Sequence, residues 1–244
     1  MDVTKVNPRS MPREEWEKTL FSQKGARGWP YTIFMDADGN VVAKIPLEGL
    51  FGDNPEQAVR ETLAEARAFV DLQAQAAAHP EDADTNARHL LLKLKLSRSD
   101  EDWKKLEGFV ATGKLAPETL ARYKAFKPGY VFDGMWEDFL KGYQGASNDP
   151  EKVKALEAKL AADTLKMHDE ALAIEDVKNS KFPYYWNFTG MGAIAAGKPE
   201  TAKKALAKLE TWLEGYKNNP RAKAFVDRLR KKVEASTADQ GGDK

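Results

Sequence analysis

The sequence predicts an α+β unit at the N-terminus followed by an all-α domain of helical hairpins, predominantly helical overall. Three observations predict it. The stretch "YTIFMDADGNVVAKI", Tyr31 to Ile45, reads as strand, tight turn, strand. Downstream, apolar residues recur at helical spacing, and the runs are interrupted by Gly, Pro, Asn or Asp. Between the two regimes "HPEDAD" (79–84) breaks a long helical pattern. That places a boundary: residues 1–78 form one domain, 85–233 a second, and 234–244 a disordered tail.

Composition narrows the function classes. At 244 residues and 42% hydrophobic the chain can bury a real core, and 31% charged residues suit a solvated surface. Lys plus Arg equals Asp plus Glu at 38 each, which removes the electrostatic case for nonspecific binding to nucleic acid or an anionic membrane. No apolar run approaches the ~20 residues a membrane span needs, so no membrane insertion is expected. "MDVTKVNPRSMPREEWEK" lacks the apolar region of a signal peptide. There is no cysteine, which excludes disulfides, thiolate zinc sites and thiol nucleophiles and leaves the compartment open.

The N-terminal elements follow in order. "MDVTKV" is a strand candidate, and "PREEWEKTLFSQKG" reads as a helix with Pro12 in its first turn and Gly25 past its end. In the next strand Tyr31, Ile33 and Met35 point one way and Thr32 and Phe34 the other, the pattern of a strand covered on both faces. "DADGN" is the turn: Asp36 accepts from the following amides, and Gly39 takes the left-handed conformation. The same letters do not make a calcium loop, because Val41 stands where glycine is required and Leu47 where a bidentate acid is required. "VVAKI" returns as the second strand. A long helix, "NPEQAVRETLAEARAFVDLQAQAAA", starts from Asn54 as N-cap and Pro55, with Ala58, Leu63, Ala66 and Val70 on its apolar stripe.

A Pro-led hairpin followed by a long helix, and preceded by strand and helix, resembles the second half of a thioredoxin fold. The residues that carry the resemblance are Gly28, Trp29, Pro30, Thr32, Phe34, Asp36, Asp38, Gly39 and Val42, and it spans residues 1–75 at most. It implies a cis Trp29–Pro30 bond and a peptide-docking edge formed by Gly28, Trp29 and Pro30. The other reading of Pro30 is an ordinary trans proline opening a strand, where its missing N–H does no harm. The chain departs from the family in one respect that decides its chemistry. The strand and helix bearing Cys-x-x-Cys, whose low-pKa thiol carries the reaction, are absent. Without that strand the family sheet would hold a gap in its middle, so the expectation is that Met1 is internal to a longer protein or that another element fills the gap.

Everything beyond residue 84 reads as helix. Within it, "WNFTGMGAIAAGKPETAKKALAKL" resembles one tetratricopeptide repeat: Trp186, Gly190, Ala202 and Leu206 fall at that repeat's spacing, and Gly197 closes the first helix. A generic helical hairpin explains the same residues, and either arrangement implies a surface that binds peptides or proteins. Tyr184, Tyr185, Trp186 and Phe188 are the candidate partner surface, with interhelical packing as the other account of the same rings. "KPGYVFDGMWEDF" is read as packing through Tyr130, Phe132, Trp136 and Phe139.

Catalytic signals are missing. His79, His89 and His168 are dispersed without an acid or a second histidine at metal-ligand spacing, and no phosphate loop or nucleophile elbow occurs. No catalytic residue, metal or cofactor is expected. The working function is a thioredoxin-family protein, redox-inactive as this chain stands, that offers a cis-proline docking edge and a helical extension to a protein or peptide. The alternative is a non-catalytic, tetratricopeptide-like scaffold for protein–protein interaction. Thiol–disulfide chemistry would require an upstream Cys-x-x-Cys segment.

Overall fold

The computed structural model describes residues 32–36, 39–45 and 54–239. The expected strand over "MDVTKV", the helix after it and the Gly28–Trp29–Pro30 edge lie outside them. The described elements are strands β1 (Thr32–Met35) and β2 (Val41–Ile45) and eight helices. The helices are α1 (Pro55–Ala78), α2 (Ala83–Leu96), α3 (Asp100–Ala111), α4 (Pro117–Ala146), α5 (Pro150–Asp169), α6 (Phe182–Ala195), α7 (Pro199–Glu214) and α8 (Pro220–Asp239). The chain is predominantly helical, with one two-stranded antiparallel sheet among the described residues.

The hairpin turn forms from side-chain chemistry. The Asp36 carboxylate accepts from the Asn40 backbone N–H at 2.8 Å and from the Asn40 side-chain amide at 3.0 Å. Gly39 has φ of 80°, a conformation that suits a residue without Cβ. β1 and β2 pair with Thr32 opposite Ile45 and Phe34 opposite Ala43, and a bulge follows Phe34. Val42 and Ala43 are adjacent in β2 and both buried, so this strand is covered on both faces.

Two compact units divide between Tyr123 and Lys124. In the first, the hairpin packs through Val42, Ala43 and Phe34 against Ala66 and Phe69 of α1 and Leu92 and Leu96 of α2. The Asn54 side chain caps α1 by accepting from Gln57 N–H at 3.1 Å. The buried stripe of α1 is Thr62, Ala66, Phe69, Leu72 and Ala76. Ala66 keeps its expected place, while Val70 turns outward because the larger Phe69 and Leu72 take the core face.

Residues 79–84, expected as a domain boundary, lie inside the first unit as a capped turn at 79–82 and the start of α2. α1 and α2 pack on each other across it. The Asp82 side chain accepts from Asp84 and Thr85 N–H, and the Asn86 amide donates to the His79 carbonyl. α2 and α3 form the next packed pair, and the Asp84 carboxylate accepts from the Ala116 N–H at 2.8 Å.

α4 runs through a proline of the kind that the sequence pattern reads as an interruption. "APETLARYKAF" and "FDGMWEDFLKGY" are one continuous helix, with Pro128 in its interior. A proline there removes one backbone hydrogen bond and crowds the preceding turn. At the other end of the chain α8 continues helical to Asp239, so 234–239 belong to a helix and not to the expected tail.

In the second unit α6 packs against α5, α7 and α8. Its sequence, "FPYYWNFTGMGAIA", carries no charge, and a helix apolar all round belongs inside. The close approaches are set by small residues. A Cβ at Gly192 would overlap the Ala161 backbone carbonyl of α5, and one at Gly190 would lie 2.8 Å from Leu229 of α8 and 3.3 Å from Ala205 of α7. α5 ends with Ala171 at φ of 60°, where the Leu172 N–H reaches back to the Met167 carbonyl at 3.0 Å.

Two substitutions in this unit have opposite expected signs. Gly192→Ala inserts an atom against rigid backbone and lowers stability by about 1–3 kcal/mol, and Ala171→Gly relieves a left-handed alanine and raises it by about 1 kcal/mol. Urea midpoints of both variants check this. A Gly192→Ala midpoint at or above that of the parent would refute the close approach.

Candidate functional site

The candidate partner surface on α6 resolves into core and edge. Tyr185, Trp186 and Phe188 are buried, and Tyr184 is 40% exposed. The burial follows from helix geometry: α6 packs against α5, α7 and α8 and its rings also meet those of α4, so most of its directions face protein. The Trp186 indole N–H donates to the Ile174 carbonyl at 2.9 Å, which leaves no polar atom of this buried ring unmatched. Tyr185 meets Phe132 of α4 edge to face at 5.7 Å, and burial holds its phenol above the usual range. These rings pack the interior.

A polar shell stands over Trp186. The Lys204 and Lys208 ammoniums lie 5.7 and 5.5 Å from the ring centroid, within cation–π range. Lys208 pairs with Glu175. The His168 ring meets the indole edge-on at 5.8 Å, with Nε2 3.4 Å from Lys204 Nζ and Nδ1 3.6 Å from Asp169. The Lys198 ammonium donates to Asp169 at 2.7 Å and holds its carboxyl below the usual range. Lys198 and Lys208 each have a carboxylate partner, so the arrangement ties α5 and the following loop to α7.

Tyr184 belongs to a longer feature that the sequence alone did not assemble. Ring contacts run Tyr143–Phe139–Trp136 along α4 at 5.9 and 5.4 Å, cross from Trp136 to Tyr184 of α6 at 4.8 Å, and reach Phe225 of α8 at 6.1 Å. They continue through Trp212 of α7 at 6.3 Å to Tyr216 at 4.8 Å. Seven rings, six from four helices and Tyr216 from the turn after α7, therefore form one belt. Tyr143 and Tyr216 are 43% and 49% exposed, so its two ends and its middle reach solvent. Phe139 and Trp136 were legible as packing residues, and Trp212 and Tyr216 share the helical spacing of one apolar face; Tyr143 and Phe225 come from other helices, and only the helix packing aligns the set.

A second surface feature is an apolar cleft of about 480 Å³ lined by Gly142, Gly145 and Ala146 of α4 and by Lys152, Ala155, Leu156 and Lys159 of α5. Lys152 and Lys159 at its rim are paired with Asp149 and Asp163.

In the first unit the titrating group of interest is His89. Its ring lies 5.3 Å from Phe69. Burial, then the charge of Lys93, hold it below the usual imidazole range, with Asp102 opposing. Burial pushes Asp102 up, but the Lys93 ammonium at 2.8 Å and Ser99 outweigh it and keep the carboxyl below the ordinary range. Among the described residues no group of three or more His, Asp or Glu side chains could hold a metal ion. No described helix is long and apolar enough to cross a membrane. No family model, curated protein or solved structure matches the chain.

The His89 environment fixes a pH dependence. The folded ring is neutral where the unfolded ring, with its ordinary pKa of 6.5, takes a proton. Its contribution is therefore intact above pH 6.5 and falls as pH drops below that value, because the unfolded state binds more protons. His89→Phe is expected to flatten the fall in Tm on acidification through this range. Parallel curves for variant and parent would refute the assignment.

Proposed function

We propose that the chain is a thioredoxin-family protein without thiol chemistry of its own, which binds protein or peptide through a docking edge at Gly28, Trp29 and Pro30 and through its helical extension. The observation that carries the reading is the ordered hairpin and helix. Antiparallel β1 and β2 close on the Asp36–Asn40 turn, and the α1 face of Ala66 and Phe69 packs against Val42 and Ala43. This is the strand–turn–strand–helix order that the family uses after its proline. The absence of cysteine removes disulfide exchange from the chain as it stands, so the reading is one of binding and not of turnover.

A second reading treats the chain as a helical scaffold whose α/β unit serves the helices. The α6–α7 hairpin favours it. Gly197 has φ of 65° and closes α6, Gly190 faces Ala205 of α7, and Trp186, Ala202 and Leu209 are fully buried between the helices. Small residues at a crossing and large ones around it are what a tetratricopeptide-like pair needs. The two readings differ in where an extended peptide would bind.

Carboxymethylated insulin B chain, an unfolded peptide without free thiol, separates them. Under the thioredoxin-family reading Trp29→Ala weakens its binding by roughly tenfold or more, the loss typical of an interface aromatic. Titration by fluorescence anisotropy reads the effect. Unchanged affinity in the variant would leave the scaffold reading alone.

A further inference from the structure

The aromatic belt has a charged border. On α8, Arg221, Phe225, Arg228 and Lys232 follow one another at intervals of four, three and four residues, which places them on one flank of the helix. Phe225 in that row is a belt ring, touching Tyr184 and Trp212. Arg221, Arg228 and Lys232 are exposed, and no carboxylate among the described residues pairs with them. The opposite flank differs, since Arg230 there is tied to Glu210 of α7 and to Asp227. α8 as a whole carries six Lys and Arg against three Asp and Glu. The zero net charge of the chain therefore hides a basic edge beside its exposed tyrosines.

We infer that the belt marked by Tyr143, Tyr184 and Tyr216 is a docking surface for an acidic peptide segment of a protein partner, with large apolar side chains against the rings and carboxylates against Arg221, Arg228 and Lys232. The inference rests on the protein-binding reading above and gives it a place and a partner chemistry. Half-exposed tyrosines supply apolar contact at small entropic cost and keep a hydroxyl in water, as at peptide-binding surfaces. Guanidiniums offer carboxylates a bidentate partner, and although Arg228 Nε donates to the Ala224 carbonyl, no carboxylate among the described residues engages Arg221 or Arg228. Single-stranded nucleic acid also uses rings beside cations, but it carries a phosphate at every nucleotide. Here the exposed cations are confined to the α8 edge and Asp138 at the α4 end is paired with Lys141, so the belt offers carboxylates a place at one end and gives a phosphate backbone no continuous cationic track.

The test is selection of a displayed random dodecapeptide library on the full-length chain. Selected peptides are expected to be acidic, to carry at least two large apolar residues, and to lose roughly tenfold in affinity against Arg221→Glu/Arg228→Glu. Lys223→Glu/Lys231→Glu makes the same charge change on other faces of α8 and is expected to leave binding within about twofold. Circular dichroism melts of both exposed double variants separate lost binding from lost fold. Neutral or basic selected peptides, equal losses in the two variants, or tighter binding of oligo-dT than of the acidic peptides would each overturn the inference. Peptides that bind but ignore the Arg221 and Arg228 changes would leave the protein-binding reading standing elsewhere on the chain. Failure to enrich any peptide would count against both.

Discussion

The second unit is organised around one hydrogen bond, from the Trp186 indole to the carbonyl of Ile174. Burying an indole removes a large apolar area from water, but it is favourable only if the N–H finds an acceptor. Ile174 lies in the stretch between α5 and α6, so the bond that satisfies the ring also holds that connection over the core. Around it the packing leaves little freedom. Gly192 lets α6 sit against the backbone of α5, Gly190 lets α7 and α8 close from the other sides, and the cations of α7 cover the indole from solvent. Because α6 is central and carries no charge, the aromatic belt has to form where its edge, α4, α7 and α8 come to the surface.

The first unit rests on different physics. Its β-hairpin is too short to be stable by itself and depends on the helices laid against it. Val42 and Ala43 are buried on opposite sides of β2, and Lys44 between that pair and Ile45 sends its ammonium to the Leu96 carbonyl at the end of α2. That places a cation at the negative end of a helix dipole. A one-residue slip in register would turn Lys44 to the opposite face of β2 and break the contact, so the charge helps to fix the register.

Local features were legible in the sequence because local chemistry makes them. Asp36 and Gly39 specify their turn, Asn54 caps α1, and Gly197 closes α6, each within a few residues of itself. What failed to show depends on contacts distant in sequence. "HPEDAD" announces a turn, but nothing within it says that the helices on either side pack together. "KPG" announces a break, yet α4 runs through Pro128, with Phe132 buried in the core of the second unit one turn later and Trp136 packed against that core two turns later. The aromatic run on α6 was ambiguous between surface and core, and its lack of any charge was the available signal that favoured core. The belt was not legible, since its rings come from four helices and one turn and only the fold makes them neighbours.

The distribution of indoles has a spectroscopic consequence. Trp186 is sealed, hydrogen-bonded and flanked by two ammoniums, whereas Trp136 and Trp212 are only partly covered and lie within the belt. Intrinsic emission from the second unit therefore combines an interior probe that responds to loss of packing with two surface probes that respond to whatever touches the rings. Quenching by a bulky aqueous solute reaches the second pair and spares the first. The molecule thus carries separate built-in reporters of integrity and of contact.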